Sequence, residues 1–380
     1  MDSGWRIHPP EPVASIDIFL TAFDDIPDPR ADNARHDLGE LLVIAFVAVL
    51  CGATSCAGMA MFGRAKECLF RDFLKLKHAI PLHDTFSTVF RMIDPKALDA
   101  AFGQVLAEVA ALLREGDVIA IDGKALRGAR GKGESARTRM MVSAYAARLR
   151  LTLASRAADN GAELDAALDV LGLLALKGKI VTADALHCNR RTVAAINARG
   201  GDWCLALKAN QDSLLSDARA CFGAVKETHP VARLEETGHG RRETRTAMVV
   251  SAKGLAEHHN FPGLKGFGWI EASREADGRT TSETRFFALS WLPTPEVLMA
   301  TVRAHWAIEN ALHWQLDVSF HEDAARNRKD NGPANIAVLR RRALDVARSD
   351  TSKGSLSMKL QRAGWDNAFL RSILNGMAAA

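Results

Sequence analysis

From Asp37 onward, apolar residues recur at helical spacing. Leu38, Leu42, Ala45 and Val49 share one face, and Leu98, Phe102, Val105, Val109 and Leu112 share another. Between them Asp84 precedes Phe86, Val89 and Phe90, and its carboxylate suits the N-cap of a short helix. The pattern predicts a helical N-terminal domain over 38–115 with a DNA-reading helix-turn-helix inside it. Residues 1–37, rich in Pro and Asp, predict an irregular lead-in.

At Asp117 the period changes. Val118-Ile119-Ala120-Ile121 is a short apolar strand that ends in Asp122. Two further strands are predicted near 140–147 and 150–155, then a helix over 163–176. Lys179 to Ala183 is a second apolar strand, and it ends in Asp184. A helix over 191–199 and a strand over 203–207 complete a mixed α/β sheet. Gly238-His239-Gly240 and Ala276-Asp277-Gly278 punctuate residues 229–293, which predicts hairpins in a β-rich insertion. From Thr294 the pattern is helical. The α/β core is therefore expected over 116–228 and 294–350, with a helical tail over 351–380.

Composition sets bounds on this picture. With 380 residues, 48% hydrophobic and 25% charged, the chain can build two or three cored domains. No run reaches the roughly 18 uncharged apolar residues of a membrane span. Leu41 to Ala53 comes nearest and reads as a buried helix. Met1 to Pro12 has no apolar signal core, so the expected compartment is the cytoplasm. There the six cysteines are expected to be free thiols, and without a Cys-x2-Cys pair they predict no zinc ribbon.

Charge is unevenly spread. The net +4 combines an acidic 1–40 with basic blocks at 123–156 and 326–348. Such blocks are either solvated faces or surfaces for a phosphate backbone. The first holds Lys124, Arg127, Arg130 and Lys132 interleaved with glycines, directly after Asp122. Glycines allow close backbone approach to a ligand.

Two carboxylates at the ends of core strands repel each other unless a cation lies between them, and hard oxygen ligands select Mg²⁺ or Mn²⁺. A third carboxylate comes from the helix around 303–317. His305, Glu309, His313 and Asp317 recur every four residues as one polar stripe. Trp306 and Trp314 beside it predict a buried helix, in which Glu309 needs a cation. The same stripe would serve a zinc hydrolase with His305, Glu309 and His313 as ligands, though His-Glu-x-x-His is missing. Tyr145, the sole tyrosine, reads as core.

Asp122 in IAIDGKALRGA, Asp184 in IVTADALHC and Glu309 in RAHWAIENALHWQLDVSFHEDAARNR resemble the catalytic motifs of DDE-type insertion-sequence transposases, in the branch of the H-repeat-associated proteins. IPDPR, IPLHDTFSTVFRMIDP, LALKANQ, GHGRRETR and AVLRRRAL extend the likeness from about Asp17 to Leu370. The resemblance implies an RNase H-like catalytic core with a β-rich insertion between Asp184 and Glu309. It implies two Mg²⁺ ions, or Mn²⁺, on Asp122, Asp184 and Glu309. It also implies double-stranded DNA, both element ends and target, as substrate, and a homodimer in the DNA complex. The superfamily's Y-x2-R-x3-E-x6-K places hold Val302, His305 and Leu316 here, so His305 and His313 become the expected DNA grips beside Glu309. Lys208, Arg241, Arg242, Arg326 and Arg328 join the basic loop as expected DNA-binding residues. The implied activity is DNA cleavage and strand transfer. The residues themselves leave open a Mg²⁺-dependent nuclease without strand transfer and an inactive DNA-binding descendant.

Overall fold

A computed structural model describes residues 14–130, 139–225, 228–238, 241–276 and 278–376. It divides into two compact units, Met1–Val109 with Val318–Ala380, and Ala110–Asp317.

The first unit is built round the helix Leu38–Leu50, which is buried on every side except at Glu40. An apolar surface all round a helix places it in a core. Phe46 of this helix meets Phe19 at 4.9 Å and Phe102 at 5.2 Å, and Phe23 meets Phe102 at 5.2 Å. Phe19 and Phe23 lie on a helix over Ala14–Asp24, so the expected irregular lead-in is helical where it can dock on aromatic partners. The helix His83–Met92 starts earlier than expected: Leu82, not Asp84, occupies the N-cap, and Asp84 lies in the first turn. There its charge complements the helix dipole. It is followed by Pro95–Val105, capped by Asp94.

Residues 318–350, expected in the α/β core, belong to this unit. The reason is the helix Gly332–Ser349, which is buried along nearly all its length and packs against Leu38–Leu50, His83–Met92 and Pro95–Val105. The basic block at 326–348 is therefore largely internal. Arg340, Arg341 and Arg342 are buried. Arg341 pairs with buried Glu322 at 3.0 Å and Arg342 with buried Asp99 at 2.7 Å.

The second unit is a mixed sheet of nine strands among the described residues, in the order β3-β2-β1-β4-β5-β9-β8-β7-β6. The strands are β1 (Val118–Ala125), β2 (Arg139–Ala146), β3 (Leu151–Asp159), β4 (Ile180–Ala183), β5 (Asp202–Leu207), β6 (Val231–Gly238), β7 (Arg241–Ser251), β8 (Gly266–Ala276) and β9 (Arg279–Leu289). β1, β4 and β5 run parallel and carry continuous apolar sequence, as central strands covered on both faces do. The expected insertion is no separate module, because β9 pairs antiparallel with β5 and extends the same sheet. Helices Glu163–Gly172, Arg190–Asn197 and Asp212–Gly223 cover one core cluster built on Trp203 and Phe261. Tyr145 is buried within β2. No described helix is long and apolar enough to cross a membrane. All six cysteines are free thiols.

Candidate active site

The strand register sets the first two carboxylates side by side. Ile121 of β1 lies opposite Ala183 of β4, so the next positions, Asp122 and Asp184, leave the parallel pair together. Strand C-termini in open α/β sheets are where ligands gather. Asp122 Oδ1 accepts from the Gly123 amide at 2.9 Å. Asp184 caps the short turn Ala185–His187 by accepting from Leu186 N–H at 3.0 Å.

Glu309 arrives from a helix that changes pitch. Pro295–Ala307 is α-helical, Ile308–His313 is π-helical and Trp314–Val318 is α-helical again. One-turn π segments inside helices often mark functional sites. Ile308, Leu312 and Leu316 bury the apolar side. Trp306 and Trp314 are 40% and 55% exposed, so the tryptophans do not bury this helix as expected. The polar stripe instead faces the strand ends. His313 Nδ1 lies 3.5 Å from both Asp122 Oδ2 and Glu309 Oε2, His305 Nδ1 lies 3.0 Å from Thr182 Oγ1, and Asp317 Oδ1 lies 2.8 Å from Lys124 Nζ.

Asp122, Asp184 and Glu309 line one cleft of about 270 Å³, together with Thr182, His305 and Lys208. Burial, reinforced by the Glu309 carboxylate, pushes the Asp122 carboxyl up to about 8. Glu309 is held down to about 2, first by its hydrogen bond to His313. Burial lowers the His305 imidazole below its ordinary value, against the pull of Asp184 and Glu309. Two crowded carboxyl groups of which one retains its proton are short of a countercharge, and that is the condition a divalent cation relieves. The nearest ligand atoms of Asp122, Glu309 and His313 lie within 4.8 Å of one another. The donors present thus fit a small hard cation, with His313 as an additional nitrogen.

A longer groove of about 1000 Å³ continues from the cleft, and the two share Glu283, Arg285, Val302 and Trp306. Alternation along β7, β8 and β9 aims Arg241, Arg245, Arg274 and Arg285 into it, and Arg303 enters from the helix Pro295–Ala307. Arg285 lies 4.6 Å above the Trp306 ring.

A family model described as Transposase DDE domain matches residues 113–344, and a DDE_Tnp_1-associated model matches residues 20–106. The chain belongs to the DDE transposase family. An uncharacterized protein from the dhlA 3′ region of Xanthobacter autotrophicus is 38% identical, over 72% of this chain and 94% of its own length. Two Escherichia coli K12 proteins, YbfL and the H repeat-associated YhhI, are 30% and 29% identical, each over 92% of this chain and 96% of their own.

Within this DDE chain the expected DNA-binding residues separate into groups. Lys208, His305 and His313 are at the cleft, and Arg241 lines the groove. Arg242 is exposed and pairs with Glu235 at 2.7 Å. Arg127 and Arg130 are exposed beyond β1, and Lys132 lies outside the described residues. Arg326 and Arg328 belong to the other unit. Lys124 is set differently from the expected loop: it is buried and faces Asp317, because β1 continues through Ala125 and turns this side chain inward. Gly123 likewise admits a protein neighbour, since a Cβ there would fall 2.1 Å from Glu163 Oε1. Arg285, Arg274 and Arg303 are absent from the DNA-binding residues that the sequence motifs single out. The period-2 alternation of charge in β7 to β9 was the one available signal.

Proposed function

We propose that this family member cleaves DNA at the ends of an insertion sequence and joins the freed 3′-OH to target DNA, on an RNase H-like core. The observation that carries the reading is the convergence of Asp122, Asp184 and Glu309 on one cleft. Asp122, Asp184 and Glu309 would together hold two Mg²⁺ or Mn²⁺ ions. When bound, such a pair activates the attacking oxygen and neutralises the leaving one.

The chain's own groups supply the rest. Thr182 engages His305 Nδ1, which fixes the ring and leaves Nε2 for the scissile phosphate. His313 holds Glu309 against Asp122. Water attacks phosphorus and the bond to the 3′-oxygen breaks, giving a 3′-OH and a 5′-phosphate. The 3′-OH then attacks a target phosphate, and one phosphodiester bond replaces another. The arginine-lined groove carries the duplex backbone towards the cleft.

The test is substitution at each carboxylate. Asp122→Asn, Asp184→Asn and Glu309→Gln should each abolish Mg²⁺-dependent cleavage of DNA bearing the element's ends while duplex binding persists. Cleavage retained by any one variant would remove that residue from the site.

A further inference from the structure

A second cluster of metal-binding side chains lies away from the catalytic carboxylates. Asp217 is on the helix Asp212–Gly223, and His258 and His259 close the short helix Leu255–His258. Their nearest ligand atoms lie within 4.8 Å of one another. His259 Nε2 is 2.8 Å from Asp217 Oδ2. The two imidazole rings lie 4.8 Å apart and nearly perpendicular, at 82°. A structural Asp–His hydrogen bond needs only His259. It does not account for His258 bringing a second imidazole within 4.8 Å of the same group.

The surroundings hold the cluster still. His259 Nδ1 lies 3.4 Å from Ser213 Oγ, one helical turn before Asp217. With a metal on Nε2, the Ser213 hydroxyl would accept from Nδ1–H, as the outer partners of metal-bound histidines do. Arg190 donates to the backbone carbonyls of His259 at 2.7 Å and Asn260 at 2.8 Å. Phe261 packs edge-on to buried Trp203 at 5.7 Å. His259 is buried while His258 is exposed, so the cluster is rigid on one side and open to solvent on the other.

We propose that Asp217, His258 and His259 form a transition-metal site of the zinc class. Two imidazoles and one carboxylate are the donors of three-ligand zinc centres, whose fourth position is left to water. Nitrogen donors favour Zn²⁺, Co²⁺ or Ni²⁺ over Mg²⁺. Cys221, one turn beyond Asp217, adds a soft donor to the same helix face. The site fastens the helix Asp212–Gly223 to the segment between β7 and β8. It thereby closes the stretch of chain that contains β6 and β7. Its consequence is order in the sheet extension, independent of the catalytic reaction.

The experiment uses the full chain carrying Asp122→Asn, Asp184→Asn and Glu309→Gln, so that the three catalytic carboxylates no longer take metal. Zn²⁺ is titrated in by calorimetry, and Co²⁺ is followed by its visible absorption. One equivalent of Zn²⁺ should bind and raise the melting temperature, and Mg²⁺ should do neither. Adding His258→Ala or Asp217→Asn should weaken Zn²⁺ binding by on the order of tenfold or more. His258 is exposed, so its variant folds even if the Asp217 variant does not. Absence of Zn²⁺ binding in the parent, or equal affinity in the folded His258→Ala variant, overturns the proposal.

Discussion

Lys124 Nζ and Asp317 Oδ1 meet at 2.8 Å, joining the strand of Asp122 to the helix of Glu309. Lys124 follows Asp122 by two residues, and Asp317 follows His313 by four. The pair therefore braces the two elements whose carboxylates face each other. Its lysine is buried and its aspartate partly exposed, which places its value between surface and buried ion pairs. Lys124→Met should cost about 1–3 kcal/mol in denaturant unfolding. Cleavage should fall while DNA affinity keeps its salt dependence. A salt slope flatter by about one unit would instead make Lys124 a phosphate contact.

Asp122 gives the apo protein a signature in pH. Its carboxyl is raised from 3.8 to about 8, first by burial and then by Glu309. Across that window the folded chain binds more protons at this site than the unfolded chain, so stability falls as pH rises. Asp122→Asn removes the buried acid. In the presence of a chelator, the variant should gain stability over the parent between pH 4 and pH 8, with the margin levelling off above. Melting curves at several pH values measure it. A margin that does not change with pH would mean the crowding of Asp122 and Glu309 is not felt.

Asp122 and Asp184 were legible because each ends a short apolar run, a local pattern that also fixes the strand. The stripe from His305 to Asp317 was legible through its four-residue repeat. What it faces was not, since Trp306 and Trp314 suggested burial and turned out exposed. Lys124 read as a loop charge because its partner is 193 residues away, and an ion pair over that separation leaves no local trace. Arg340 to Arg342 misled for the same reason: their neutralising partners include Asp99 and Glu322, outside the helix that bears them. The hairpins were visible from their turns. Their continuity with β5 depends on one antiparallel pairing, β5 with β9 from Cys204↔Leu289 to Leu207↔Phe286, which no periodicity announces.

Glu322 and Arg341 form an ion pair with no exposed side-chain surface on either partner. Arg341 Nη1 also donates to the Ala337 carbonyl at 3.0 Å. Removing the carboxylate strands a charge inside the helical unit. Glu322→Ala should cost about 3–5 kcal/mol in denaturant unfolding, whereas Glu322→Leu with Arg341→Met should come close to neutral. A cost below about 1 kcal/mol for Glu322→Ala would show that water reaches Arg341.

The groove beside the cleft makes the most direct claim about substrate. Arg241, Arg245, Arg274, Arg285 and Arg303 line it against Glu243 and Glu283, five positive charges against two negative ones, for a net of +3. Part of that charge is already spent. Arg241 and Arg245 lean on Glu243, Arg285 on Glu283, and Arg303 on Glu236. A duplex backbone entering the groove would draw these guanidinium groups from their carboxylates, since two phosphates can replace one internal partner. Arg241 and Arg274 lie on β7 and β8, apart from the residues that the groove shares with the cleft. Their replacement should therefore leave the chemistry untouched. Arg241→Ala with Arg274→Ala should flatten log K against log[salt] by about two units, one for each lost phosphate contact. The loss of affinity should be equal for specific and random duplexes, because phosphate contacts position without specifying. Cleavage at saturating DNA should remain. Fluorescence anisotropy over a salt series reads the slope, and an unchanged slope in the folded double variant would move the DNA path to another face.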